Sequence, residues 1–149
     1  MARQRDVGAK PPVHRTAVVD GELALGAATR RAIAQRRVAK GDPIATGEVA
    51  GLLAMKRTAE LVPHCHIVPL TSSAVTIGPS RRGVRVRVEA ESIGPTGVEM
   101  EALVGATVAL LTVWDMVKYL EKDARGLYPH TALGPVRVVR KEKQAIRTP

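Results

Sequence analysis

Asp115 and Lys118 stand three residues apart in a stretch that reads as helix, so they share one face about one turn from each other. An acid and a base so placed form either an ordinary ion pair or the working end of a proton-transfer site. The same stretch opens on two more acids, Glu99 and Glu101. Between the two ends lie thirteen residues, Ala102 to Trp114, without a charge. A surface helix would show a polar stripe at the 3.6-residue period, so this one must be buried on most of its faces. Charges fixed at the ends of a buried helix are costly unless paired or used. Glu99 has a structural reading, because Thr96 followed three residues later by Glu is the pattern of a capping box. Glu101 lacks that role and is the better functional candidate.

Two more groups could do chemistry. Lys40-Gly41-Asp42 sits just before a long helical stretch, and His64-Cys65-His66 sits just after it in a proline-flanked turn. Zinc is one reading of the second group. Three potential ligands in consecutive positions, with no second cluster, do not match the spaced pairs of structural zinc sites. Packed structural residues and substrate contact remain the alternatives.

The frame around these groups is simple. The 149 residues suit one domain with a real core, with an extended segment over 1–14 and a flexible basic tail over 142–149. Hydrophobic residues make up 45%, but with no Phe, one Trp and two Tyr the core must be aliphatic. The single cysteine excludes an intrachain disulfide and suits a reducing compartment. A polar start without an apolar run argues against a signal peptide, and no uncharged apolar run reaches the roughly 18 residues of a membrane span. The expectation is a soluble cytoplasmic protein with no membrane partner. The net charge of +9 is spread over small basic groups without aromatic stacking platforms. That argues against nucleic acid and for a polyanionic small molecule.

The elements that must position these residues can also be read. An apolar run within 15–25 contains a strand, and a short helix follows over about 27–37. Asp42-Pro43 supplies an N-cap and a first-turn proline for a long helix to about Leu61, ended by Pro63. Val68–Ile77 and Val84–Ala90 form two strands around Gly78-Pro79-Ser80. In the second, Val84, Val86 and Val88 alternate with Arg85, Arg87 and Glu89. A second long helix spans 97–122, and a last strand spans 136–141 after a loop. Apart from the short extra helix, the order is a split β-α-β. The expected class is α+β, an antiparallel sheet with the long helices on one face.

Five ordered motifs then carry a resemblance over almost the whole chain. Lys40-Gly41-Asp42, Lys56-Arg57-Thr58, Pro63-His64-Cys65-His66, Thr96 through Leu103, and Leu111 through Lys118 resemble the cyclic pyranopterin monophosphate synthase family. Asp6-Val7-Gly8-Ala9-Lys10 and Arg15 match that family's first segment, and Trp114, Tyr119 and Tyr128-Pro129 resemble its archaeal branch. The resemblance implies a ferredoxin-like fold and a lyase of molybdenum cofactor (molybdopterin) biosynthesis. Its GTP-derived substrate, 3′,8-cyclo-7,8-dihydro-GTP, becomes the pterin product with release of pyrophosphate. It implies Lys40, Asp115 and Lys118 as catalytic residues. Substrate contacts would come from His64, Cys65, His66, Met100, Glu101 and Glu99, with Lys56, Arg57, Lys10 and Arg15 as phosphate or structural candidates. It also implies a homohexamer, a trimer of dimers with sites at subunit interfaces. No resident cofactor or metal is implied, and Mg²⁺ would at most accompany the phosphates. For a lysine to exchange protons near neutrality, its pKa must fall by burial or a second cation, as two lysines in one pocket would arrange. Pro95 and Ile67 depart from the family pattern, which usually has lysine and proline there.

The purified protein is expected to hold no stoichiometric zinc and to melt at the same temperature with or without a chelator. One zinc per chain, with unfolding on chelation, would make His64-Cys65-His66 a structural metal site.

Overall fold

A computed structural model of the chain describes residues 1–146. The alternation that marks the strands decides what lies inside. In β1 (Val13–Ala24) and β3 (Gly83–Gly94) the antiparallel register pairs Ala17 with Ala90, Val19 with Val88, Gly21 with Val86 and Leu23 with Val84. All eight residues face the core, because period-2 alternation puts every second residue on one face. The intervening positions face away, and there Arg87 Nη1 reaches Asp20 Oδ1 across the strands at 3.0 Å. β2 (Leu70–Pro79) pairs with the free edge of β3, and β5 (Arg137–Gln144) with the other edge of β1. The two-residue β4 (Ala132–Leu133) pairs with the end of β1. The order β2-β3-β1-β5, all antiparallel, is the expected split β-α-β arrangement of an α+β fold.

Two long helices lie over this sheet. α2 (Pro43–Met55) follows the short α1 (Ala27–Ala34) and starts where Asp42 accepts the amides of Ile44 and Ala45 at 2.9 and 3.2 Å. This is the expected N-cap. α4 (Glu99–Glu121) packs against α2, β1 and β3. The α2–α4 contact is made of small residues. A methyl group added at Gly51 would stand 3.0 Å from the Gly105 carbonyl, and one at Gly47 would stand 3.0 Å from the Ala109 carbonyl. The two backbones therefore approach as closely as glycine allows. By length and mean hydropathy (1.5) α4 could cross a membrane, but half of that stretch is buried against the rest of the fold, as in a core helix.

The structure departs from the expectations in five places. The first long helix ends at Met55 rather than Leu61, and a separate turn, α3 (Thr58–Leu61), follows Lys56 and Arg57. Thr58, buried, donates its hydroxyl to the Met55 carbonyl and so holds the break. α1 ends before 37, and Arg36 takes a positive φ of 54°. The segment read as a loop before the last strand contains β4. Glu142, Lys143 and Gln144, expected in a flexible tail, are hydrogen-bonded into β5 opposite Thr16, Arg15 and His14; residues 147–149 of that expected tail lie outside the described residues. The capping box does not form: α4 starts after Val98 with no side-chain cap, and Glu99 pairs instead with Lys141 of β5.

Burial of α4 is also incomplete. Ten of its residues are buried, but Leu111 and Leu120 remain exposed, as do Val49 and Leu53 of α2. Its last turn is tied down by Glu121, whose carboxylate accepts the Gly26 amide at 3.1 and 3.2 Å and the Thr131 hydroxyl.

Gly51→Val should push the helices apart and cost about 1–3 kcal/mol, the usual range for overpacking a tight core. At this chain length that is a fall in melting temperature of roughly 3–10 °C. An unchanged melting curve would mean that the α2–α4 contact can relax without cost.

Candidate functional site

The candidate residues gather at the two ends of α4. At its C-terminal end Asp115 stands between two lysines. Lys118 Nζ is 2.6 Å from Asp115 Oδ1, and Lys40 Nζ donates to Oδ2 and to the Asp115 carbonyl, each at 3.0 Å. Lys40 arrives from the turn before α2, where Gly41 has φ of 99° and donates its amide to the Val38 carbonyl. That backbone region favours glycine, which accounts for Gly41 between Lys40 and the Asp42 cap. The turn is also fastened by Tyr119, whose hydroxyl accepts the Ala39 amide at 2.8 Å.

The electrostatics of this triad invert one expectation. Hydrogen bonds from Lys118 first, then Lys40, hold the Asp115 carboxyl below its ordinary range. The same bond to Asp115 raises the Lys118 pKa above that of a free lysine. Two lysines alone would depress each other; the carboxylate placed between them stabilises the charged form of Lys118 instead. In this state Lys118 is a cation and proton donor rather than a ready base.

At the N-terminal end of α4 the chemistry is different. Glu101 is buried, with 4% of its surface exposed, and its pKa is raised by burial and then by the Glu99 charge. Burial also raises the Cys65 thiol, and Glu101 adds to the shift. Burial works against the Glu99 charge as well, but bonds to Lys141 and to its own amide, with the charges of Lys141 and Arg15, keep its pKa low. Glu101, Cys65 and His66 line a cavity of about 560 Å³ together with Lys56, Arg57 and Gln4. Glu99, Met100, Cys65 and His66 also line an adjoining space of about 270 Å³. Another cavity, about 630 Å³ between α1 and the β2–β3 turn, holds none of the candidates.

An N-terminal strap crosses this second group. His64 Nδ1 donates to the Arg3 carbonyl at 3.0 Å and His66 Nε2 to the Arg5 carbonyl at 2.8 Å, while Gln4 Nε2 donates to the Cys65 carbonyl at 2.8 Å. Arg15 does not reach the cavity: it donates to the Gly94 and Pro95 carbonyls, both at 3.0 Å, and so shapes the loop before α4. Lys10 is exposed in a turn, its amide bound to the Val7 carbonyl. Among the described residues, no three His, Cys, Asp or Glu side chains converge to hold a metal ion.

The structure therefore brings Lys40 to Asp115 and Lys118, and brings Lys56, Arg57, Cys65 and His66 to Glu101. It does not bring the two groups together. From Glu101 to Asp115 the helix rises about 21 Å, fourteen residues at 1.5 Å each. Gln4, Tyr119 and Lys141 enter the site without having been candidates. No local pattern marks them, because each reaches its partner across a long stretch of sequence.

Known proteins resemble this chain over nearly its whole length. The MoaC family model matches residues 4–144. A protein of Archaeoglobus fulgidus named "Probable cyclic pyranopterin monophosphate synthase" is 50% identical over 141 residues, 95% of this chain and 90% of that one. A protein of the same name from Pyrococcus furiosus is 42% identical over 139 residues, 93% of this chain and 89% of that one. A relative in Methanothermobacter thermautotrophicus, 46% identical over 95% of this chain and 89% of its own, is named "Probable cyclic pyranopterin monophosphate synthase accessory protein". On a match that runs nearly end to end, this chain belongs to the MoaC family.

Proposed function

We propose that the protein is a cyclic pyranopterin monophosphate synthase, a cytoplasmic lyase that converts 3′,8-cyclo-7,8-dihydro-GTP to cyclic pyranopterin monophosphate and pyrophosphate. The observation that carries this reading is the Lys40–Asp115–Lys118 network, with its 2.6 and 3.0 Å contacts. A triphosphate that expels pyrophosphate and closes a cyclic phosphate needs fixed cations and a proton donor. Lys40 supplies a fixed charge. Lys118, charged in the resting state, gives up its proton only as a heteroatom or a departing phosphate oxygen becomes the stronger base. Asp115 holds both and carries no step itself. The accessory name of one relative raises a non-catalytic alternative. Such a protein could dispense with any member of the triad, and here all three are present and paired.

Glu101, Cys65, His64 and His66 bind the heterocycle in this reading, with Met100 and Glu99 beside them. A buried carboxyl with a raised pKa can give a hydrogen bond to a ring nitrogen or carbonyl. Lys56 and Arg57 serve the phosphates from the same cavity. Lys10 is a phosphate candidate, and Arg15 acts through the loop it shapes. Mg²⁺ would at most accompany the phosphates.

The two half-sites, about 21 Å apart on one helix, are too far apart for one nucleotide. The site is therefore composite: the triad of one copy meets the Glu101 end of another. Exposed Val49, Leu53, Leu111 and Leu120 supply apolar surface for that assembly. The proposed state is a homohexamer, a trimer of dimers, since homo-oligomers close with point-group symmetry.

The direct test is incubation with the cyclised GTP substrate, reading pyrophosphate and the pterin product; no product would overturn the assignment.

Lys118→Ala should lower turnover by about 10²–10⁴-fold with little change in melting. Lys118→Arg should also be poor, because a guanidinium keeps its proton. Near-normal turnover in Lys118→Arg would reduce Lys118 to a fixed charge and pass proton transfer to Lys40.

Assembly has its own test. Lys118→Ala and Glu101→Ala, each nearly inactive alone, should recover about a quarter of wild-type activity when co-assembled in equal amounts, because random pairing makes one composite site in four intact. A monomeric mass by light scattering, or no recovery on co-assembly, would place the whole site within one chain.

A further inference from the structure

The chain has three aromatic residues, one Trp and two Tyr, in 149. All three lie at one place. Trp114 precedes Asp115 on α4, Tyr119 follows Lys118, and the Tyr128 ring meets the Trp114 ring edge-on with centroids 5.8 Å apart. The core is built without any of them, apart from the flank of Trp114 that packs against it. An aromatic supply spent wholly around the lysine–aspartate–lysine network asks for a reason beyond apolar burial.

Tyr119 supplies one. It lies four residues after Asp115, on the same face of the helix. Its hydroxyl accepts the Ala39 amide at 2.8 Å, one residue before Lys40, while Lys40 Nζ binds Asp115 at 3.0 Å. The turn that carries Lys40 is thus fastened to α4 at two points one helical turn apart. The amide bond fixes where the chain lies, and the side-chain bond follows from it. Lys40 has a long, freely rotating stem and is half exposed, so its own ion pair is a weak fastener. A bond to the neighbouring backbone fixes where that stem begins before substrate arrives, so that Nζ has less space to search. The turn needs such help: Ala39, Lys40, Gly41 and Asp42 are all exposed, and Gly41 within it has a φ of 99°. Trp114 and Tyr128 prop the other flank of the same helix end.

We infer that Tyr119 is a positioning residue for Lys40: by accepting the Ala39 amide proton, its phenolic oxygen holds the 38–42 turn where Lys40 can share Asp115 with Lys118. The functional part rests on the reading of the triad as catalytic; the placement of Lys40 does not.

Tyr119→Phe removes the acceptor and keeps the ring, so folding should be preserved and melting should shift little. Two measurements follow. The first needs no turnover. Acylation of lysines by an amine-reactive ester, followed by mass spectrometry, should speed up severalfold at Lys40 in Tyr119→Phe and stay unchanged at Lys10 and Lys56. An unchanged Lys40 rate overturns the inference, whatever the protein catalyses. The second uses the cyclised GTP substrate. In Tyr119→Phe kcat should fall roughly three- to tenfold, the equivalent of one lost hydrogen bond, with KM within about twofold. In a Lys40→Ala background the same change should have no further effect, since residues that act through one another are not additive. An equal further fall there means that Tyr119 acts on the fold at large, and overturns the inference. A protein without turnover, but with faster Lys40 labelling, supports the placement and overturns the proposed function instead.

Discussion

One constraint organises this molecule: α4 can pass under the sheet only if its middle carries no charge. The contact that enforces it is backbone on backbone, with Gly47 and Gly51 of α2 facing the Ala109 and Gly105 carbonyls. No charged side chain fits a contact that cannot admit a methyl group without strain. Charge is therefore exported to the helix ends, and the chemistry goes with it. Triad and buried acid sit at opposite ends because the interior between them is closed to both. The helix dipole adds to the division, favouring carboxylates near Glu99 and ammonium groups near Lys118.

Much of this was legible in the sequence because it is local. The Asp42-Pro43 start, the alternation in β3 and the uncharged stretch of α4 each declare themselves within a dozen residues, and the split β-α-β order follows from them. What was not legible depends on partners far along the chain. Thr96 and Glu99 have the spacing of a capping box, but Lys141 from the last strand reaches Glu99 first. The break after Met55 has no glycine or proline to mark it; a buried Thr58 hydroxyl makes it. β4 is two residues long and exists only because β1 lies alongside.

The triad shows the same division. Asp115 and Lys118 are three residues apart and readable as a pair. Lys40 is 75 residues from Asp115, and only the fold reveals that the carboxylate sits between two ammonium groups. That position reverses the sign of the expected shift. Two lysines in one pocket favour loss of a proton, whereas the carboxylate beside Lys118 favours keeping it. Residue types alone do not fix this sign; the order in which the charges line up does.

The strap over the second half-site has a consequence for proton inventory. A backbone carbonyl can only accept, so His64 must carry its hydrogen on Nδ1 where it meets Arg3, and His66 on Nε2 where it meets Arg5. In their neutral forms the two rings of one turn are thus opposite tautomers, leaving lone pairs on Nε2 of His64 and Nδ1 of His66. Glu101 shares its cavity with His66, and burial raises its pKa. In the cavity they share, His66 thus brings an acceptor and Glu101 a carboxyl inclined to keep its hydrogen, while His64 lines neither space.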